Sequence, residues 1–216
     1  MKRCFSLFFS ISLLLLSLTG CGGEGTPASP ETSTSVSPEP SAQFESGTIE
    51  NNVYTNSYIE LSFSLPEGWS FVTSEQFVQL FGSITEQVQG DLEVEAAPED
   101  STYYEFYAQG QSGESVIMTV EDLSAHKGGK LLTVRNFVDT LSEQYAHLSS
   151  VDYEIGESYA QTMAGHELIV LPLSVPSAQL RQHCCVFRSG SYMITLTFSA
   201  QTDEELQELE ACLTEI

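Results

Sequence analysis

The run Tyr58-Ile59-Glu60-Leu61-Ser62-Phe63-Ser64-Leu65 alternates large apolar residues with polar ones, and Pro66-Glu67-Gly68-Trp69 follows directly. A period of two puts Ile59, Leu61, Phe63 and Leu65 on one face and Glu60, Ser62 and Ser64 on the other, the pattern of a half-buried strand. Pro suits the second position of a type I turn and Gly the fourth, so the strand ends there. Trp69, the only tryptophan, returns to the face of Leu65 if the turn keeps the register. It is therefore expected to be substantially buried beside the following helix. The alternative reading of Trp69 is an exposed aromatic anchor for a partner.

Working towards the C-terminus, Ser74 can cap a helix in which Phe77, Leu80, Phe81, Ile84 and Val88 recur at helical spacing. An acidic stretch, residues 91–100, comes next. Residues 103–109 and 115–122 read as a hairpin with Gln111-Ser112-Gly113 in the turn. Beyond Lys127-Gly128-Gly129 a second helix runs to about Leu148 on the stripe Val134, Phe137, Val138, Leu141, Tyr145 and Leu148. The last third reads as strands over 153–162, 166–175, 179–187 and 192–200, with tight turns at Ala164-Gly165 and Ser189-Gly190. Thr202-Asp203-Glu204-Glu205 is a capping box, opening a terminal helix on Leu206, Leu209, Leu213 and Ile216.

Leu168, Ile169, Val170 and Leu171 are apolar on both faces of their strand, which therefore sits inside a sheet covered on both sides. The class expected is α+β, a mainly antiparallel sheet flanked by helices on both faces.

Towards the N-terminus, Lys2 and Arg3 precede an apolar run from Phe5 to Leu18, the layout of an export signal. The run is shorter than the about 20 residues that span a bilayer. Leu18-Thr19-Gly20-Cys21 resembles the lipobox of bacterial lipoprotein precursors. That resemblance implies cleavage before Cys21, lipid on its sulfur and anchoring to a membrane on the extracytoplasmic side. After Cys21 the chain is rich in Gly, Ser, Thr, Pro and Glu, a composition that cannot offset its ordering entropy by burial. A tether of this length reaches roughly 30 Å. The organisation expected is a signal over 1–20, a lipidated Cys21 and tether over 21–48, and one domain over 49–216.

The balance of Lys+Arg 7 against Asp+Glu 30 argues against nucleic acid as a partner, since its phosphates need a basic surface. Three cysteines fall in the domain, Cys184, Cys185 and Cys212, and an odd number cannot all pair internally. Neighbours on a strand point to opposite faces, so at most one of Cys184 and Cys185 faces Cys212; buried thiols acting as small hydrophobes are the reading preferred. Gly110-Gln111-Ser112-Gly113 does not match a nucleophile elbow. His126, His147, His166 and His183 are scattered. Asp91, Glu93, Glu95, Glu99 and Asp100 do not form an EF-hand loop. No catalytic residue, cofactor or metal is assigned. In the aromatic strand, alternation pairs Tyr104 with Phe106 on one face and Tyr103 with Tyr107 on the other, and Tyr104 joins Trp69 as a candidate interaction residue.

Asn56-Ser57-Tyr58-Ile59 leading into Phe63-Ser64-Leu65-Pro66-Glu67-Gly68-Trp69, the strand Ser191-Tyr192-Met193-Ile194-Thr195-Leu196-Thr197-Phe198 after its turn, and the capped terminal helix resemble the PsbP and Mog1 type of α/β/α sandwich found in many exported bacterial lipoproteins. Members of that fold include an extrinsic photosystem subunit and a regulator of a small GTPase, so the resemblance implies binding rather than catalysis. The function expected is a non-catalytic module that binds an envelope protein or a small ligand. The alternatives are an enzyme acting on envelope polymers and a solute-capture lipoprotein of a transporter.

Overall fold

The computed structural model describes residues 44–72, 102–126, 128–148 and 151–216. The expected signal, Cys21, most of the tether, the helix after Ser74 and the acidic stretch 91–100 lie outside the described residues.

Two antiparallel sheets organise what is described. The smaller has the order β1 (Thr48–Glu50), β2 (Val53–Asn56), β3 (Leu61–Ser64), β12 (Leu213–Glu215). The larger runs β4 (Ser70–Phe71), β5 (Thr102–Gln109), β6 (Ser115–Asp122), β11 (Tyr192–Ala200), β10 (Leu180–Ser189), β9 (His166–Val175). Both β7 (Glu154–Ile155) and β8 (Tyr159–Met163) pair with β9. Among the described residues there are two α-helices, α1 (Val134–His147) and α2 (Asp203–Glu210).

Every residue of β11 is buried, so the large sheet is covered on both faces. On one face Tyr192, Ile194, Leu196 and Phe198 pack with Met118 and Val120 of β6 against Leu61 and Phe63 of the small sheet. Leu206 and Leu209 of α2 enter the same cluster. On the other face Ile117, Leu171, Val186 and Met193 pack against Phe137, Val138, Leu141 and Tyr145 of α1. The first of these faces thus carries a second sheet as well as a short helix, where the sequence suggested helices alone.

Local chemistry explains several departures from the sequence reading. The alternating run becomes a strand only at Leu61, because Asn56 Oδ1 accepts from the backbone N–H of Tyr58 at 2.9 Å and of Ile59 at 3.3 Å, and Glu60 takes φ 54°. Asn51 and Asn52, at φ 51° and 65°, turn β1 into β2; Asn tolerates this left-handed region better than most residues. Phe44, expected in the tether, is buried against Tyr58, Tyr103 and Tyr192. The second tight turn consists of Gly190 and Ser191, one residue later than expected, since Ser189 already pairs with Tyr192.

A bulge falls between Tyr104 and Phe106, so the strict alternation expected of β5 fails. Tyr103 and Phe106 belong to the core under the small sheet and Tyr107 to the core under α1. Tyr104 and Phe106 therefore lie on opposite faces, not the same one. Bulges re-aim side chains, and Glu105 Oε2 here accepts from Gly47 N at 2.8 Å, Tyr54 OH at 2.5 Å and Asn56 Nδ2 at 3.2 Å. The strand expected over 153–162 is two short ones, broken where Gly156 N donates to Pro172 O at 2.8 Å.

The terminal helix is also shorter than expected. It stops at Glu210, and Leu213, Thr214 and Glu215 pair with Phe63, Ser62 and Leu61. Leu213 still reaches the core, as part of a strand.

Phe63 is fully buried and stacks on Phe106 with ring centroids 5.2 Å apart. Phe63→Ala is expected to cost about 3–5 kcal/mol, read as a lower denaturation midpoint. A midpoint that did not move would show that the small sheet contributes little to stability.

Candidate functional site

Trp69 follows a turn closed by its own backbone N–H, which donates to Pro66 O at 3.2 Å, with Gly68 at φ 81°. It is half-buried, resting one side on the core between the two sheets. Gly110 makes that seat: a Cβ there would lie 2.9 Å from indole Cε2 and Nε1. Trp69 also lines a cavity of about 330 Å³. Pro66, Leu209 and Cys212 supply its apolar walls, and Glu114, Glu205 and Glu208 stand around it.

The three carboxylates are engaged to different degrees. Glu205 Oε2 accepts from the backbone N–H groups of Gln201 and Thr202, both at 3.0 Å, completing the capping box of α2. Glu114 Oε2 accepts from Ser112 N at 3.1 Å. Glu208 is exposed, and its carboxylate accepts no hydrogen bond from any described residue. The pocket is an apolar recess with negative charge at its edge.

Tyr104 is not brought to this pocket. It lies on the α1 side of the large sheet, 37% exposed, where burial of its hydroxyl pushes the pKa up to about 12.

A second recess, of about 290 Å³, lies where α2 crosses β10. Arg181 pairs with Asp203 at 3.0 Å, and His183 Nδ1 with Glu210 Oε1 at 2.6 Å. A carboxylate that holds one ring nitrogen orients the other, which is how a general base is built. Cys185 is on the same face of β10 as His183, but full burial raises its pKa well above the ordinary value, so it carries a thiol and not the nucleophilic thiolate. Sequence reasoning missed this pair, because its members are 27 positions apart and meet only where the terminal helix crosses the sheet.

The third group is Glu121 with His126, Nε2 to Oε1 3.0 Å, both buried. Burial raises the Glu121 pKa; His126 is raised first by its hydrogen bond to Glu121, then by the charges of Glu121 and Asp122, against its own desolvation. The remaining histidines are separate: His147 meets Glu143 O at 2.6 Å and His166 stacks on Phe187. Among the described residues no three His, Cys, Asp or Glu side chains gather as metal ligands would. All three domain cysteines are free. Cys184 lies on the α1 side, its thiol pushed by burial to about 12, and Cys185 lies on the opposite face, where Cys212 also packs.

No protein-family model matches the chain, and no curated protein matches it. Among solved structures, the solution structure of cyanobacterial PsbP from Synechocystis sp. PCC 6803 is similar over 92% of this chain and 99% of its own, with 13% identity and a TM-score of 0.48.

The Glu121–His126 pair ties stability to pH. The folded state holds the His126 proton more tightly than the unfolded chain, so its contribution is complete below 6.5 and is lost as pH rises through the higher folded value. Glu121, raised from 4.5, likewise costs least when protonated. The melting temperature is expected to fall as pH climbs above 6.5. Glu121→Gln takes away the main cause of the raised His126 pKa, and thermal unfolding across that range should lose the fall; a slope identical to the parent's would place its origin elsewhere.

Proposed function

We propose that this chain is a bacterial lipoprotein, processed before Cys21 and anchored by lipid on that residue. Its domain, over 49–216, is displayed on the extracytoplasmic face as a non-catalytic binding or accessory module. The observation that carries the reading is Leu18-Thr19-Gly20-Cys21 placed directly after the apolar run that begins at Phe5. Two or more acyl chains anchor stably where one binds only marginally. A PsbP or Mog1 type of sandwich, with helices on both faces of the large sheet, is the finer form of the fold in this reading. The ligand is an envelope protein or a small molecule, not nucleic acid, because the net charge of −23 repels phosphate.

Binding is favoured over turnover by the state of the nucleophiles. The His183–Glu210 pair has the layout of a base but no thiolate beside it, since Cys185 stays protonated. The rival reading, an enzyme of envelope polymers, would have to use water activated at His183. Hydrolysis of cell-wall fragments by the purified protein, lost in His183→Ala, would replace the binding reading with that one.

Replacing Cys21 with Ser is expected to abolish incorporation of labelled fatty acid and to leave an unprocessed precursor in the membrane fraction. Normal maturation of the variant would remove the anchor from the proposal.

A further inference from the structure

We propose that the Trp69 cavity binds a small molecule bearing a quaternary ammonium group. The proposal rests on the reading of the domain as a binding module and names the ligand class for one of its recesses. Three features converge on that class. An indole lines the recess, and among aromatic side chains Trp attracts a cation to its face most strongly, within about 6 Å of the ring centroid. The remaining walls are Pro66, Leu209 and Cys212, whose side chains suit methyl groups better than an ammonium's N–H donors. Three carboxylates edge the opening, and only cations complement them.

The same features separate a methylated cation from a primary amine. A primary ammonium is compact and strongly hydrated, and it must replace its water with acceptors on entering. Glu205 Oε2 already takes two backbone N–H groups and Glu114 Oε2 takes one, which leaves one oxygen of each for a newcomer. Glu208 is the carboxylate with no such commitment, and it is exposed. A quaternary group has no N–H donors to satisfy, carries its charge on an apolar surface, and needs only the ring, the walls and the field of the carboxylates.

At about 330 Å³ the recess lies at the small end of ligand pockets, roughly 300–1,000 Å³. That is room for a head group and not for a long chain. Gly110 is a requirement of the site, because any side chain there would push the indole out of place. The acidity of the whole chain adds a long-range attraction for the cation.

Trp69 is the only tryptophan, so its fluorescence reports this recess alone. The full lipidated protein in maltoside micelles is titrated with choline chloride at constant ionic strength, balanced with sodium chloride. The expected result is a saturable change in emission. Ethanolamine should need a concentration at least about tenfold higher for the same change, the factor a loss of 1.4 kcal/mol represents. Glu208→Gln, an exposed change on α2 that leaves the melting temperature in place, should weaken the choline response about threefold. No saturable response to choline, an equal response to ethanolamine, or full binding by Glu208→Gln would each overturn the proposal. Fatty-acid labelling on Cys21 in the same preparation is independent of all three, so failure here and failure of the lipoprotein reading are told apart.

Discussion

A strand that is dry on both faces is the constraint from which the rest follows. Tyr192–Ala200 is buried at every one of its positions. A single sheet with one covered face cannot keep it dry, because the other face would be open to water. Two layers must therefore be laid over the strand, and the chain supplies them from distant parts: the small sheet and α2 on one side, α1 on the other. The neighbours β6 and β10, buried along most of their length, share the demand.

The two faces of that strand are not equivalent. Under the small sheet lie Tyr192, Ile194, Leu196 and Phe198, with Phe63 and Phe106 stacked beyond them. The opposite face carries Thr195, Thr197 and Ser199, with Thr119 and Glu121 of β6 beside them, all buried. Buried polar groups are costly unless bonded, and the structure satisfies them in part: Gln182 Nε2 donates to Ser199 Oγ at 3.0 Å, and Glu121 meets His126. Gln182 Oε1 and Glu121 Oε2 have no hydrogen-bond partner among the described residues. Hydrophobic burial thus does most of its work on the first face, while the second exchanges part of that gain for fixed dipoles and one buried carboxylate–imidazole pair.

Much of the larger sheet was legible in the sequence because its signals are local. Alternation, the turn at Ala164-Gly165 and the capping box at Thr202 to Glu205 each act within a few residues, and β9, β11 and α1 appear as read. What escaped the reading depended on distant partners. The bulge at Glu105 is set by Tyr54, Asn56 and Gly47, which pull that carboxylate towards the small sheet. Leu213 fits an amphipathic helix and a strand equally well by pattern. The open edge of β3 decides between them. Trp69 stood out by its singularity, but nothing near it in sequence announces Glu208 or Cys212.

The recess at Trp69 exists because of that same choice at the C-terminus. Had the helix continued to Ile216, Cys212 would have remained on it, away from the turn at Pro66. Instead α2 ends, Ala211 closes its last turn, and Leu213 pairs with Phe63 in a register that brings Ser64 N to Cys212 O at 3.1 Å. The end of β3 and the end of α2 are fixed to each other by that hydrogen bond. Pro66 and Trp69 leave from one side of it and Glu208 and Leu209 from the other, and Glu114, just before β6, completes the lining, so the pairing of β3 with β12 joins two of the three segments that make the recess. The short last strand, with Leu213 as its one buried residue, therefore fixes the end of α2 against the end of β3 beside the site.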